Sequence, residues 1–241
     1  MFYTDKRFIY LMLIVLVLVN LMGMTRFEWL ALLLTLPGVL IAITFHEFAH
    51  AYAATKLGDD TPRLQDRLNL NPLSHIDPVG FILLLFVGFG WGKPVEINPR
   101  NFDRKYSQEA GNAIVAFAGP LMNFILAIIF TLIYCAIFKF AASFTITEAG
   151  GIVTAMVQYT IVVNIGLGIF NLIPLPPLDG SKILVKFLPY NAKQWVYDHE
   201  QVFYIIFLVI WITGIAGYII SPALQAMYSG LLQLGMKIFG L

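Results

Sequence analysis

The sequence predicts an all-α polytopic membrane protein with five to six transmembrane helices, and three observations predict it. The chain is 59% hydrophobic and only 12% charged over 241 residues, where soluble domains average roughly 45–50% apolar and about 25% charged residues. Its apolar residues fall in runs long enough to cross ~30 Å of hydrocarbon, each bounded by charges or by glycine and proline. Lysine and arginine crowd one face of the arrangement those runs define. The polar stretches between them are short and rich in Pro, Asn and Asp, as turns are. With no internal repeat or low-complexity tract, residues 1–241 read as a single domain.

The run 8–24 follows a charged start at Asp5, Lys6 and Arg7, and no small-x-small cleavage site stands behind it. It reads as a retained first helix rather than a signal peptide. The runs 29–55, 112–138, 152–173 and 200–220 supply four further spans. Between them, residues 79–91 are apolar but too short to cross as a helix, and they contain Gly80, Gly88 and Gly90. That segment reads as a re-entrant hairpin, tolerated where protein shields its backbone. Residues 223–241 are apolar but interrupted by Gln225, Ser229, Gly230, Gln233 and Lys237, so they either lie along the interface or cross a sixth time.

If 79–91 dips in and returns, the N-terminus, residues 56–111 and the loop 174–198 share one side of the membrane. That side holds 12 of the 15 basic residues, with Arg26 and Lys139 opposite and Lys237 unassigned. The positive-inside rule makes the crowded side cytoplasmic. The expected location is therefore a bacterial or archaeal cell membrane, with the N-terminus in the cytoplasm. A net charge of +1 gives no global field to attract nucleic acid. The single cysteine, Cys135, lies in an apolar run and reads as a small buried hydrophobe.

The chemistry concentrates in LPGVLIAITFHEFAHAYAAT, where His46, Glu47 and His50 spell H-E-x-x-H inside a predicted span. Four residues apart on a helix, the two imidazoles project from one face about one turn apart, the spacing that grips one zinc ion. An ionisable side chain at membrane depth costs about 2 to 3 kcal/mol even on the mildest insertion scale, so three together need a compensating role. His46 lies ten residues before Lys56, roughly 15 Å along the helix from that charge boundary.

Catalytic zinc takes three protein ligands and leaves one position open, so a third donor at similar depth is required. FNLIPLPPLDGSKIL offers Asp179, just past a break at Pro174, Pro176 and Pro177. Spacing alone leaves it open whether Asp179 is that donor or an N-cap for a helix starting at Ser181. Glu148 falls at the opposite face. His75, in NPLSHIDP, reads as bonding within its turn, and His199 as an interfacial residue at the start of the last span.

These segments resemble the site-2 protease family of intramembrane zinc metalloproteases. HEFAH in a membrane helix, RLNLNPLSHIDPVG, GWGKPVEINPRNF, the AGPLMN of 118–123 and the NLIPLPPLDGSKIL of 171–184 occur in the family's order. The resemblance implies a Zn²⁺ cofactor held by His46, His50 and Asp179, with Glu47 as general base. It implies that Asn123 and Asn171 lie near the substrate strand or the oxyanion, although interhelical hydrogen bonding is an equal alternative for both. It further implies a small membrane-associated β element within residues 60–105 that presents an edge to substrate, and an active-site opening on the cytoplasmic side.

The implied activity is hydrolysis of peptide bonds within or near transmembrane segments of single-span proteins, as in regulated intramembrane proteolysis. The implied partner is a membrane-protein substrate with a transmembrane segment. The chain reads as a minimal core without PDZ or CBS domains, which calls for a regulatory membrane partner or for control by the first and last helices. A non-proteolytic transporter or scaffold that holds a metal is the alternative, but such a site has no need of Glu47 beside its ligands. A different membrane H-E-x-x-H peptidase would need a third ligand from a later helix interior, where the sequence offers none.

Overall fold

A computed structural model describes residues 23–87, 90 and 92–241. The order of helices is α1 (Arg26–Lys56), α2 (Thr61–Leu64), α3 (Pro72–His75), α4 (Pro78–Val87), α5 (Gln108–Phe140), α6 (Ala142–Thr145), α7 (Glu148–Asn171), α8 (Asp179–Phe187), α9 (Tyr190–Asp198), α10 (Glu200–Ile212) and α11 (Ile215–Phe239). Among the described residues four helices, α1, α5, α7 and α11, are long and apolar enough to cross a membrane. The predicted first span, 8–24, lies mostly outside the described residues.

Three of the four long helices start where a side chain can satisfy their free N–H groups, while α11 starts at Gly214 with no side-chain cap. Thr25 and Glu28 form a capping box on α1, with the Glu28 N–H donating to Thr25 Oγ1 at 3.3 Å and the Thr25 N–H to Glu28 Oε2 at 2.6 Å. Ser107 and Thr147 cap α5 and α7 through the N–H groups of Ala110 and Gly150. Both predicted runs 29–55 and 112–138 lie wholly within α1 and α5, while α7 ends two residues short of 173.

Helices α1, α5 and α7 pack against one another as the centre of the fold. In lipid, small residues let helices approach closely, because no hydrophobic force favours helix over acyl chain. Gly38 of α1 lies so near α7 that a Cβ there would fall 2.8 Å from Thr160 Cα. Ala127, Ile161 and Ile165 form the adjoining apolar core, covered by Leu224, Met227 and Leu231 of α11. Away from it, Ile114, Phe117, Leu121, Ile125 and Ile128 of α5 are exposed, the outward apolar stripe that a lipid-facing helix carries.

Two features differ from the sequence expectations. No β-strand occurs among the described residues, and the predicted β element reduces to one isolated antiparallel bridge between Ile76 and Gly92. The prolines explain it: Pro62, Pro72 and Pro99 each open a short helical turn and Pro78 opens α4, and Pro94 lacks the N–H a ladder needs. Main-chain groups that would pair with a strand are instead taken by side chains, as described below.

The run 79–91 forms α4, a helix of 10 residues and thus about 15 Å long, too short to cross. Residues 88, 89 and 91 lie outside the description, so the returning limb of a hairpin does too. The run 200–220 divides at Gly214, which adopts φ +75°, a conformation open to glycine at no steric cost. Before the bend, α10 has 13 residues; after it, α11 has 25 and absorbs the 223–241 tail. Lys139 Nζ donates to Gly240 O at 3.3 Å, which holds the end of α11 beside the end of α5.

Candidate metal centre

His46 and His50 stand on consecutive turns of α1, buried against α5. Asp179 reaches them from the first residue of α8. After α7 stops, the chain turns through Pro174 to Pro177, and α8 starts hard against the end of α7. A Cβ at Gly180 would fall 2.3 Å from Leu172 O, so only glycine allows this approach. Asp179 does not cap a helix starting at Ser181: Leu178 occupies the N-cap position and the Ser181 hydroxyl donates to Leu178 O. Asp179 Oδ1 accepts from Lys182 Nζ at 3.4 Å, and Oδ2 faces the histidines.

His46 Nε2 and His50 Nε2 are 3.0 Å apart, and Asp179 Oδ2 lies 3.2 Å from the first and 3.1 Å from the second. Each residue is less than a tenth exposed. Tetrahedral zinc with bonds of about 2.0 Å separates its ligand atoms by about 3.3 Å, so this triangle fits three corners of a zinc site. The donor chemistry agrees. His50 Nδ1 lies 2.7 Å from Val115 O, an acceptor only, so Nδ1 carries a proton and, in the neutral ring that a metal binds, Nε2 points its lone pair at the Asp179 carboxylate. Acceptors converging in a buried space require a cation between them. Gly119 of α5 makes room for the pair, since a Cβ there would lie 2.5 Å from His50 Nε2 and 2.7 Å from His46 Cε1.

Glu47, between the two histidines in sequence, lines a cavity of about 800 Å³ together with His46, His50, Asp179 and Asn171. Its Oε2 accepts from the Val95 N–H at 3.1 Å. Val95 belongs to the extended segment 92–98, which three further hydrogen bonds pin in place. The Lys93 N–H donates to His75 O at 2.8 Å, Arg67 Nη2 donates to Lys93 O, and the Asn98 N–H donates to Asp59 Oδ2 at 2.6 Å. Backbone groups alternate in direction along an extended chain, so those of Gly92, Pro94 and Glu96 point away from those of Lys93 and Val95.

Asp59 is fully buried and organises the clamp's far end. Burial pushes its carboxyl up, but hydrogen bonds from Thr61, Asn98 and Asn101 outweigh that and hold it below the ordinary aspartate value. His75 is buried and bonded to Asn69 O at 2.7 Å within its own turn. Burial holds its imidazole below the usual histidine value, with Arg67 adding to the effect.

The two asparagines part company. Asn171 lines the cavity, with Nδ2 donating to Leu167 O at 3.1 Å on its own helix. Asn123 is completely buried behind His46, whose Nδ1 lies 2.7 Å from Asn123 Oδ1. Both ends of the amide bond to protein, the interhelical hydrogen bonding that the sequence leaves open as an equal alternative. Reading the sequence missed Asn164, a second buried amide next to Asn123; a lone polar residue within an apolar span was the available signal. It also missed what Gly119 and Arg67 do within the quoted segments AGPLMN and RLNLNPLSHIDPVG, and Asp59, which carries no motif. His199 is half-buried and bonded to Trp195 O, and Glu148 sits at the end of α7 remote from Asn171. Cys135 is buried and free, where α5 meets Gly235 of α11.

Membrane-crossing helices that enclose a zinc-type donor set, with a carboxylate at its flank, point to the class of membrane-embedded metalloproteases. The pattern that defines peptidase family M50 matches residues 34–213, and the chain belongs to that family. YwhC of Bacillus subtilis (strain 168) is 38% identical over 201 residues, which cover 83% of this chain and 90% of the relative. MJ0611 of Methanocaldococcus jannaschii is 26% identical over 87% of this chain and 97% of its own length. Rip2 of Mycolicibacterium smegmatis is 27% identical over 75% of this chain and 67% of its own. All three carry zinc metalloprotease names. No solved structure matches.

Proposed function

We propose that this metalloprotease cuts membrane proteins within or near their transmembrane segments, with zinc held by His46, His50 and Asp179 and with Glu47 as general base. The observation that carries the reading is the convergence of three buried acceptor atoms, 3.0 to 3.2 Å apart, beside a carboxylate that lines the same cavity. Zinc bound there supplies Lewis acidity, bringing water toward ionisation near neutral pH and polarising a carbonyl. Glu47 accepts the proton of the attacking water and returns it to the departing amine. The Val95 N–H holds the carboxylate in place for both transfers.

A transmembrane helix hides its carbonyls in its own hydrogen bonds, so the scissile stretch must unwind before attack. Segment 92–98 offers a receiving edge: the outward groups of Gly92, Pro94 and Glu96 suit pairing with an extended peptide. Substrates with helix-weakening Gly, Pro or Asn near the cut are the better ones. The positive-inside count puts the cavity's mouth at the cytoplasmic face of a bacterial or archaeal cell membrane, where water for the hydrolysis is at hand. The substrates fitting this site are single-span proteins, and control falls to a regulatory membrane partner or to the helices flanking the cavity.

Glu47→Gln tests the reading. The variant retains zinc, and a single-span protein accumulates in membrane fractions relative to the parent. Unchanged cleavage in that variant would overturn the protease assignment in favour of a metal-holding transporter or scaffold.

A further inference from the structure

We propose that Asn164 is a positioning residue of the metal site, acting through Asn123 on the tautomer and tilt of His46. The proposal rests on the metal reading above and deepens it. Asn123 and Asn164 are both fully buried, on α5 and α7, where water cannot reorient an amide. Four contacts assign every donor in the chain. Asn164 Nδ2 lies 2.8 Å from Thr160 O, a carbonyl that only accepts. The amide nitrogen of Asn164 therefore faces Thr160, and its Oδ1 faces α5.

Asn123 Nδ2 lies 3.0 Å from that Oδ1 and 3.1 Å from Ala42 O. With two acceptors on one side, the Asn123 NH₂ group must sit there. Its Oδ1 then turns to His46 Nδ1 at 2.7 Å and, being an acceptor, takes the Nδ1 proton. The lone pair of His46 is left on Nε2, which faces His50 Nε2 and Asp179 Oδ2. Each donor points the same way, from His46 to Asn123 to Asn164 to Thr160, and reversing any amide would set like groups against each other. Partners behind a metal-binding imidazole fix its tautomer and orientation, and their loss weakens metal binding by about 10- to 100-fold. Asn164 stands one step further back, touching no donor atom itself.

The test uses the full-length chain in detergent, with zinc affinity read by chelator competition and ligand geometry by the visible spectrum of the cobalt-substituted protein. Asn164→Leu keeps the branched heavy-atom outline but offers Asn123 no acceptor. Asn164→Ser fits the site whatever Leu does, and its hydroxyl bonds back to Thr160 O, short of Asn123. Asn164→Asp, in its neutral carboxylic form, keeps an acceptor for Asn123 and a donor for Thr160. Leu and Ser are expected to weaken zinc binding about tenfold or more and to alter the cobalt spectrum, while Asp stays within about threefold of the parent with an unaltered spectrum. Parent-like zinc affinity in both Leu and Ser, or equal losses in all three variants, would overturn the proposal. A parent chain that binds no zinc would instead overturn the metal reading, so the two failures are distinguishable.

Discussion

The main-chain N–H of Val95 donates to Oε2 of Glu47 at 3.1 Å, tying the extended segment 92–98 to the carboxylate of H-E-x-x-H. A main-chain donor cannot rotate away as a side chain can, so the segment fixes the carboxylate while it leaves the second oxygen uncommitted to that bond. Val95→Pro deletes this donor and suits an extended backbone. A general base in place contributes about 10²- to 10⁴-fold. Removing its support is expected to lower kcat about 10- to 100-fold at unchanged zinc stoichiometry, measured on a cleaved transmembrane peptide in detergent. A parent-like kcat in Val95→Pro would show that Glu47 needs no such anchor.

Gly119→Ala pits helix propensity against the site. Alanine is the better helix former by about 1 kcal/mol, yet its Cβ would stand 2.5 Å from His50 Nε2. Overpacking of this kind costs about 1–3 kcal/mol, and here the displaced atoms are the proposed zinc donors. Zinc affinity should fall at least tenfold with little change in melting temperature. Isothermal titration that returned parent affinity would mean the imidazoles can shift without consequence.

Stripping the metal should abolish cleavage but spare the fold. The donors ride on α1 and α8, whose main-chain hydrogen bonds form without a cation, as membrane helices require. Circular dichroism in chelator should therefore retain its helical signal, while the melting transition falls by about 4 kcal/mol relative to zinc at a thousand times its dissociation constant. Cleavage should return when zinc is added back. Loss of helix on chelation would identify the metal as structural.

How much of this was legible in the sequence depends on whether a feature is local. The His46 and His50 pair follows from helical spacing, and the long spans follow from apolar runs. Asp179 needed the fold, because it lies 129 positions beyond His50 in all but space, and only the resemblance chose between ligand and cap. Asn123 stayed open between substrate and a neighbouring helix because a polar residue in a span announces a partner without saying which one. The β element failed because prolines and side chains claimed the backbone that strands would have used. The bend at Gly214 stayed hidden since glycine is common in membrane helices, and nothing local distinguishes a bend from a packing contact.

Acid should loosen the clamp around segment 92–98 in two stages. His75 is held below the usual histidine value, so its contribution is present above about pH 6.5 and is lost as the pH falls through its lower folded value. Asp59 is held below the ordinary aspartate value, so its contribution is intact above about pH 4 and disappears only further into acid. Melting temperature against pH should accordingly decline first with His75, then with Asp59, and Asp59→Asn should remove the second decline alone. A curve flat through the acid range would discount both groups.

The two imidazoles differ in what holds their outer nitrogens. His50 leans on the Val115 carbonyl, which every residue type would supply at that position, so no substitution of the supporting side chain can silence it. His46 leans on an amide that a single codon can alter. Any inherited drift in zinc affinity arising from the backing of the pair must therefore enter through His46, and a designer seeking a weaker or tighter site has one adjustable imidazole and one fixed.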